Sequence, residues 1–309
     1  MILSNIFRYF LSLLSIWHTN KKVPKKKDNA IRRDLFKKIS IQKFKKKNLK
    51  FTHQEFNKKI YLLLKSENIR NFLRENFIQK MFFLHNRYFV FKELKELRRD
   101  KKWFLYKKLI KEDNIGNPVR YFLYPKSSGN KINHVFHLKI LSDTFNLNLK
   151  RDIKKVFEFG AGYGCMAKIF SMINKKIKFT CFDTNLVNLL QYYYLKHSNL
   201  NVGFSRNKKI YLTSNIKKTK KQNDLFIANW SLSETPKNFR KKFINHILNS
   251  KYILISFQEK FENENNLEYF HNLKLNLSKK FEIIIKKNKF YHGNFFFKQN
   301  HYYFIAKKL

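Results

Sequence analysis

Residues 156–165 read Val156-Phe157-Glu158-Phe159-Gly160-Ala161-Gly162-Tyr163-Gly164-Cys165. Three of the chain's seven glycines fall within five positions here, and the others (Gly116, Gly129, Gly203, Gly293) are scattered. In a chain that uses glycine so rarely, a cluster marks backbone that bends tightly or lets a ligand come close. An apolar strand runs into the cluster, and Met166-Ala167-Lys168-Ile169-Phe170 opens a helix behind it. Strand, glycine loop and helix together make a nucleotide-type cofactor loop in a parallel-sheet fold.

Strand and helix alternate downstream of this loop. Apolar runs predict strands over 156–159, 177–182, 209–213, 224–229 and 252–257, with helices over 186–196 and 237–248. Runs at 281–285 and 302–305 are close enough in sequence for an antiparallel pair. The pattern predicts an α/β fold with a doubly wound, mostly parallel sheet of seven strands that binds ligands at its carboxyl ends. Upstream, Ile60, Leu63, Leu64, Phe72, Phe77, Met81, Phe82 and Phe83 recur at three- and four-residue steps, so this region reads as helices. Ile115-Gly116-Asn117-Pro118 is a helix breaker, and Ser127-Ser128-Gly129-Asn130 reads as a loop before a helix over 133–145. The expected organisation is an N-terminal segment 1–27, a helical leader 28–112 and a cofactor-binding domain 113–309.

The 309 residues are 43% hydrophobic and include 34 Phe, enough for a sizeable core. Cys165 and Cys181 have no flanking ligand pattern, which gives no zinc signature, no disulfide framework and no expected metal. The net charge of +45 points to nucleic acid or an anionic membrane as a partner. Its lysines are spread along the chain, however, as a bias toward Lys, Asn, Ile and Phe would leave them; clusters stand at Lys25-Lys26-Lys27 and between Lys43 and Lys50. Residues 2–17 are apolar, but as a helix they would extend only about 24 Å against a hydrocarbon core of roughly 30 Å. Arg8 would add a cost of ~2.5–3.5 kcal/mol to a spanning helix. The basic residues follow the apolar run, the wrong order for a cleaved signal peptide. Ile2, Ile6, Phe10, Leu13 and Trp17 share a helical face. Residues 1–27 are therefore read either as an in-plane helix on an anionic membrane or as a helix packed on the protein's own body. The expected location is cytoplasmic, at most peripheral on the inner face of a membrane.

Two cofactor classes use such a loop with an acid about twenty residues on: dinucleotides and S-adenosylmethionine. Asp183, closing the second strand, would take ribose hydroxyls in either. Three features favour S-adenosylmethionine. Cys165 stands where a dinucleotide loop wants Gly or Ala. Glu158, two residues before the first glycine, would repel a pyrophosphate but suits the cationic amino-acid end of S-adenosylmethionine. The two late strands match an inserted antiparallel last strand.

On these residues the sequence resembles the class I S-adenosylmethionine-dependent methyltransferases, with Glu158-Phe159-Gly160-Ala161-Gly162-Tyr163-Gly164 similar to their motif I. Leu190-Gln191-Tyr192-Tyr193-Tyr194-Leu195, Asn229-Trp230-Ser231-Leu232-Ser233-Glu234 and Ile115-Gly116-Asn117-Pro118 resemble the sugar O-methyltransferase family. The resemblance runs from about residue 112 to the C-terminus. It implies a Rossmann-like sheet and a cofactor held by Glu158, Gly160, Gly162, Gly164, Asp183 and Asn229. It also implies methyl transfer to a sugar hydroxyl of a glycan, a lipid-linked sugar or a nucleotide sugar.

The residues after the fourth strand fit that acceptor. Asn229-Trp230-Ser231 lacks the Pro-Pro-aromatic turn that clamps a planar amine, whereas Trp230 with Ser231, Ser233 and Glu234 offers a sugar a ring face and hydroxyl partners. Transfer to a hydroxyl needs a base. Glu234 is the first candidate, although a carboxylate ahead of Pro236 equally suits a helix N-terminus. His292, on a turn between the late strands, is a second. His134 and His137 share a helix face and would line the acceptor pocket or simply pack. Two other readings stay open: an RNA or protein methyltransferase, which the charge favours, and a non-catalytic basic protein that binds membrane or RNA. Intact Glu158, glycines and Asp183 speak against the second.

Overall fold

The computed structural model describes residues 25–41, 51–83, 90–289 and 300–309. The expectations for residues 1–24, for the basic run from Lys43 to Lys50 and for His292 lie outside the described residues.

Eight strands form one sheet: β1 (Lys155–Phe159), β2 (Lys178–Phe182), β3 (Val202–Gly203), β4 (Ile210–Thr213), β5 (Asn223–Asn229), β6 (Ser250–Gln258), β9 (Phe281–Lys287) and β10 (His301–Lys308). A separate two-residue hairpin supplies β7 (Lys260–Phe261) and β8 (Glu264–Asn265). The order in the large sheet is β3-β4-β2-β1-β5-β6-β10-β9. All pairings are parallel except those of β10, which runs antiparallel between β6 and β9. This order, with its reversed and inserted last strand, is the Rossmann-like methyltransferase sheet. The eighth strand, beyond the seven expected, is the short edge Val202–Gly203, too brief to show as an apolar run.

Period-two alternation sends each strand's residues into two cores. Val156, Cys181, Leu212, Leu225 and Ile227 face one side, and Phe157, Phe159, Phe182, Phe226 and Phe257 face the other. The first side is covered by α6 (Gly129–Thr144), α8 (Cys165–Ile173) and α9 (Asn185–His197). The short α7 (Leu149–Asp152) leads into β1. The second side is covered by α10 (Lys237–Arg240), α11 (Ile244–Leu248) and α12 (Asn266–Leu277). Two expectations shift here. Helix α6 begins at Gly129 rather than after a loop, because Ser128 Oγ accepts from Lys131 N at 3.2 Å and caps it. The helix expected over 237–248 is broken by a 3-10 turn at Lys241–Phe243.

The leader comprises α1 (Lys25–Ile41), α2 (Phe51–Lys65), a 3-10 segment (Glu67–Arg74), α3 (Asn76–Phe83), α4 (Phe91–Arg99) and α5 (Trp103–Ile110). Its Leu35, Ile60, Phe72, Leu97 and Leu109 join the same buried cluster as Val156, so one core crosses the boundary drawn at 112. Helix α9 is the docking face. Its Tyr193 hydroxyl donates to Asp28 Oδ1 at 2.6 Å, its His197 Nε2 lies 3.1 Å from the same oxygen, and its Tyr192 hydroxyl donates to Asp34. Arg70 Nε reaches Asp28 Oδ2 at 2.5 Å. Burial opposes ionisation of Asp28, but Tyr193 and Arg70 outweigh it and hold the carboxyl below its ordinary range. Asp28→Ala would strand these buried partners. We expect a loss of about 2 kcal/mol, since Arg70 keeps some solvent. Urea unfolding measures it, and an unchanged midpoint would contradict the latch.

Candidate active site

The site lies where the sheet's winding reverses, at the carboxyl ends of β1 and β5, which are neighbours in the sheet. Gly160, Gly162 and Gly164 all have positive φ, at 66°, 54° and 93°. Gly160 is required twice over, because a Cβ there would lie 2.2 Å from Ser231 Cβ. Ser231 Oγ donates to Phe159 O at 2.5 Å and ties the turn after β5 to the end of β1. Gln191 of α9 donates to Gly162 O at 2.8 Å, which gives the Gln191-Tyr192-Tyr193-Tyr194 stretch its role: Gln191 pins the loop and the tyrosines dock the leader. Asp183 accepts from Gly162 N at 3.1 Å and from Thr184 N at 2.7 Å.

A cavity of about 290 Å³ opens over this loop. Glu158, Gly160, Gly162 and Asp183 line it, together with Asn229, Trp230, Ser231, Glu234 and His134. Phe56, Asn57, Met81 and Phe82 of the leader complete the wall. Three carboxyl groups face the cavity, and among the described residues no Lys or Arg lines it. Glu158 is buried, and its Oε2 has no hydrogen-bond partner among the described residues. Burial, then the nearby Asp183, push its carboxyl well above the ordinary range. Burial also raises Asp183 to about 7, against the two N–H groups it accepts from. A chain of net charge +45 has kept an acidic pocket, so the pocket suits a cation.

No protein-family model and no curated protein matches the chain in sequence. Solved structures similar to it include methyltransferases. An S-adenosylmethionine-dependent methyltransferase from Aquifex aeolicus is 13% identical, over 56% of this chain and 89% of that one, with a TM-score of 0.40. An rRNA methylase from Streptococcus thermophilus is 14% identical, over 58% and 95%, with a TM-score of 0.38. The StiE O-MT structure is 12% identical, over 56% and 72%, with a TM-score of 0.42.

S-adenosylmethionine fits the residues present. Glu158's unpartnered oxygen would take the ammonium of its amino-acid end, and Asp183 would take the ribose hydroxyls. A pyrophosphate would meet carboxyl groups and no cation. Asp183→Ala should weaken S-adenosylhomocysteine binding by ~10–30-fold, as calorimetry would show; unchanged affinity would remove Asp183 from the site.

The turn after β5 is strained. Trp230 holds φ at 60°, rare for a bulky residue. Its N bonds Ser256 O at 2.7 Å, its Nε1 donates to His301 Nδ1 at 3.0 Å, and its ring packs 5.3 Å from His137. Trp230 is therefore mostly buried and offers the cavity an edge rather than a free stacking face. Two expected acceptor residues are not at the cavity. His137 is sealed between Trp230 and Tyr303, with Asn229 beside it but no well-formed hydrogen bond on either ring nitrogen. Ser233 is wholly buried, its Oγ 2.6 Å from Trp230 O and 2.8 Å from Gln258 Oε1, and it holds the turn together. Ser233 faces inward because the turn after β5 folds back on itself, and His137 because its part of α6 packs against Trp230 and Tyr303; spacing reveals neither. His134 does line the cavity, and burial lowers it to about 4, so it is neutral at physiological pH.

Glu234 lines the cavity and caps nothing: α10 starts at Lys237, with Pro236 as its N-cap and no side-chain cap. Burial raises its carboxyl to about 7, with the Gln258 amide acting the other way. A carboxyl titrating there is matched to taking a proton near neutral pH.

Proposed function

We propose that the chain is an S-adenosylmethionine-dependent O-methyltransferase acting on a neutral sugar hydroxyl. The observation that carries this reading is the cavity itself, with a cation-accepting end at Glu158 and Asp183, a carboxyl near neutrality at Glu234, and no lining cation. When bound, the cofactor supplies an electrophilic methyl group on a positively charged leaving sulfur. Glu158 anchors the amino-acid end of that molecule and Asp183 its ribose. Glu234 takes the proton of the acceptor hydroxyl, and the leader's Phe56, Met81 and Phe82 help keep water out. The acidic lining favours an uncharged sugar over a phosphate-bearing one, which weighs against a nucleotide sugar whose phosphates enter the cavity.

The net charge of +45 favours a second reading, transfer to RNA. One experiment separates the two. The protein is incubated with methyl-deuterated S-adenosylmethionine and either neutral oligosaccharides or total RNA, and products are read by mass spectrometry. Label on a sugar oxygen supports the proposal; label confined to RNA overturns it.

A further inference from the structure

Helix α5 has two unlike faces. Tyr106, Leu109 and Ile110 are buried in the core. The opposite face carries Phe104, 87% exposed, with Leu105 exposed beside it. Three residues before Phe104 stands Lys101, and three, four and seven residues after it stand Lys107, Lys108 and Lys111. Lys107 and Lys108 share the face of the helix that carries Phe104, and Lys101 and Lys111 flank its two ends. All four lysines are exposed, and none forms an ion pair among the described residues. Exposed Arg98 and Arg99, at the end of α4, extend the positive field.

Lysines near a helix C-terminus complement its dipole, which accounts for Lys107 and Lys108 alone. It gives no reason to leave a phenylalanine ring in water between them, where its apolar surface is unburied. An apolar tip inside a ring of point charges matches a hydrocarbon layer beneath anionic headgroups. RNA fits less well: a base would stack on the Phe104 ring, but the aliphatic Leu105 beside it has no π-face for a second base, whereas acyl chains accept both side chains.

We propose that the α5 face docks the protein on an anionic lipid membrane, Phe104 and Leu105 entering the acyl boundary and Lys101, Lys107, Lys108 and Lys111 meeting the headgroups. The inference is independent of the acceptor.

The test is flotation of the full chain with phosphatidylcholine vesicles, with and without phosphatidylserine. The wild type should float mainly with the phosphatidylserine vesicles. Phe104→Ser with Leu105→Ser should lower that partitioning ~10-fold, and Lys107→Gln with Lys108→Gln by a similar ~10-fold on the anionic vesicles. Residues 1–27 are present in every variant and drop out of the difference. Circular dichroism and S-adenosylhomocysteine affinity should stay at wild-type values, because α5 contributes nothing to the cavity lining. Equal flotation of wild type and the Phe104/Leu105 variant would overturn the proposal. So would a variant that loses affinity for poly(U) RNA while its vesicle binding is intact.

Discussion

Glu234→Gln will lower turnover by ~10²–10⁴-fold while S-adenosylhomocysteine binds as tightly as before. The substitution keeps shape and polarity and removes only the ability to take a proton. The pH profile of the wild type adds a sign. A base works as its carboxylate, and burial raises Glu234 to about 7. Turnover at saturating cofactor should therefore rise about tenfold per pH unit below 7 and level off above it. Saturation matters, because Asp183 also titrates at about 7 and would otherwise imprint cofactor binding on the same curve. Retained turnover in Glu234→Gln, with a flat profile, would leave the carboxyl without a chemical role. Asn229, Ser231 and His134, which also line the cavity, would then be the next residues to test.

The sheet was legible because its signals are local. An apolar strand, clustered glycines and an acid closing the next strand suffice to place β1, the loop and β2, and the late pair Phe281–Lys287 and His301–Lys308 announces the antiparallel insertion. Glu158, Asp183 and Glu234 meet in one cavity for the same reason: each sits at a strand's carboxyl end, and the topology gathers those ends. The leader's share was hidden. Phe56, Met81 and Phe82 belong to apolar helical stripes, and a stripe shows that a face is covered without showing that it covers a cavity. His137 and Ser233 fail differently. Both stand close in sequence to residues that do face the cavity, yet Ser233 is tied into the turn that follows the left-handed Trp230, and His137, on α6, packs between Trp230 and Tyr303. Leu190–Leu195 carried a resemblance, and its physical work is to hold the glycine loop and the leader; none of its residues lines the cavity.

Glu158→Gln should have two opposite effects, which together separate binding from folding. Without ligand, Glu158 is a buried acid whose Oε2 has no hydrogen-bond partner among the described residues, its carboxyl pushed well above the ordinary range by burial and by Asp183. The folded protein thus keeps a proton that the unfolded chain gives up above about pH 4.3. Stability is fully present below that value and falls as pH rises toward the folded carboxyl's own titration. Glutamine cannot ionise and escapes this loss. At pH 8 the ligand-free variant should therefore be more stable by about 1–3 kcal/mol, a rise in melting temperature of ~2–6 °C, while at pH 4 the two proteins should melt together. Binding should move the other way. The variant has no charge to meet the cofactor's ammonium, and its affinity should fall ~30–100-fold. Calorimetry offers a further check, since wild-type binding at neutral pH should release a proton from Glu158 and give a buffer-dependent enthalpy that the variant lacks. A variant that is less stable at pH 8 and binds as the wild type does would place Glu158 in the core and leave the ammonium to another group.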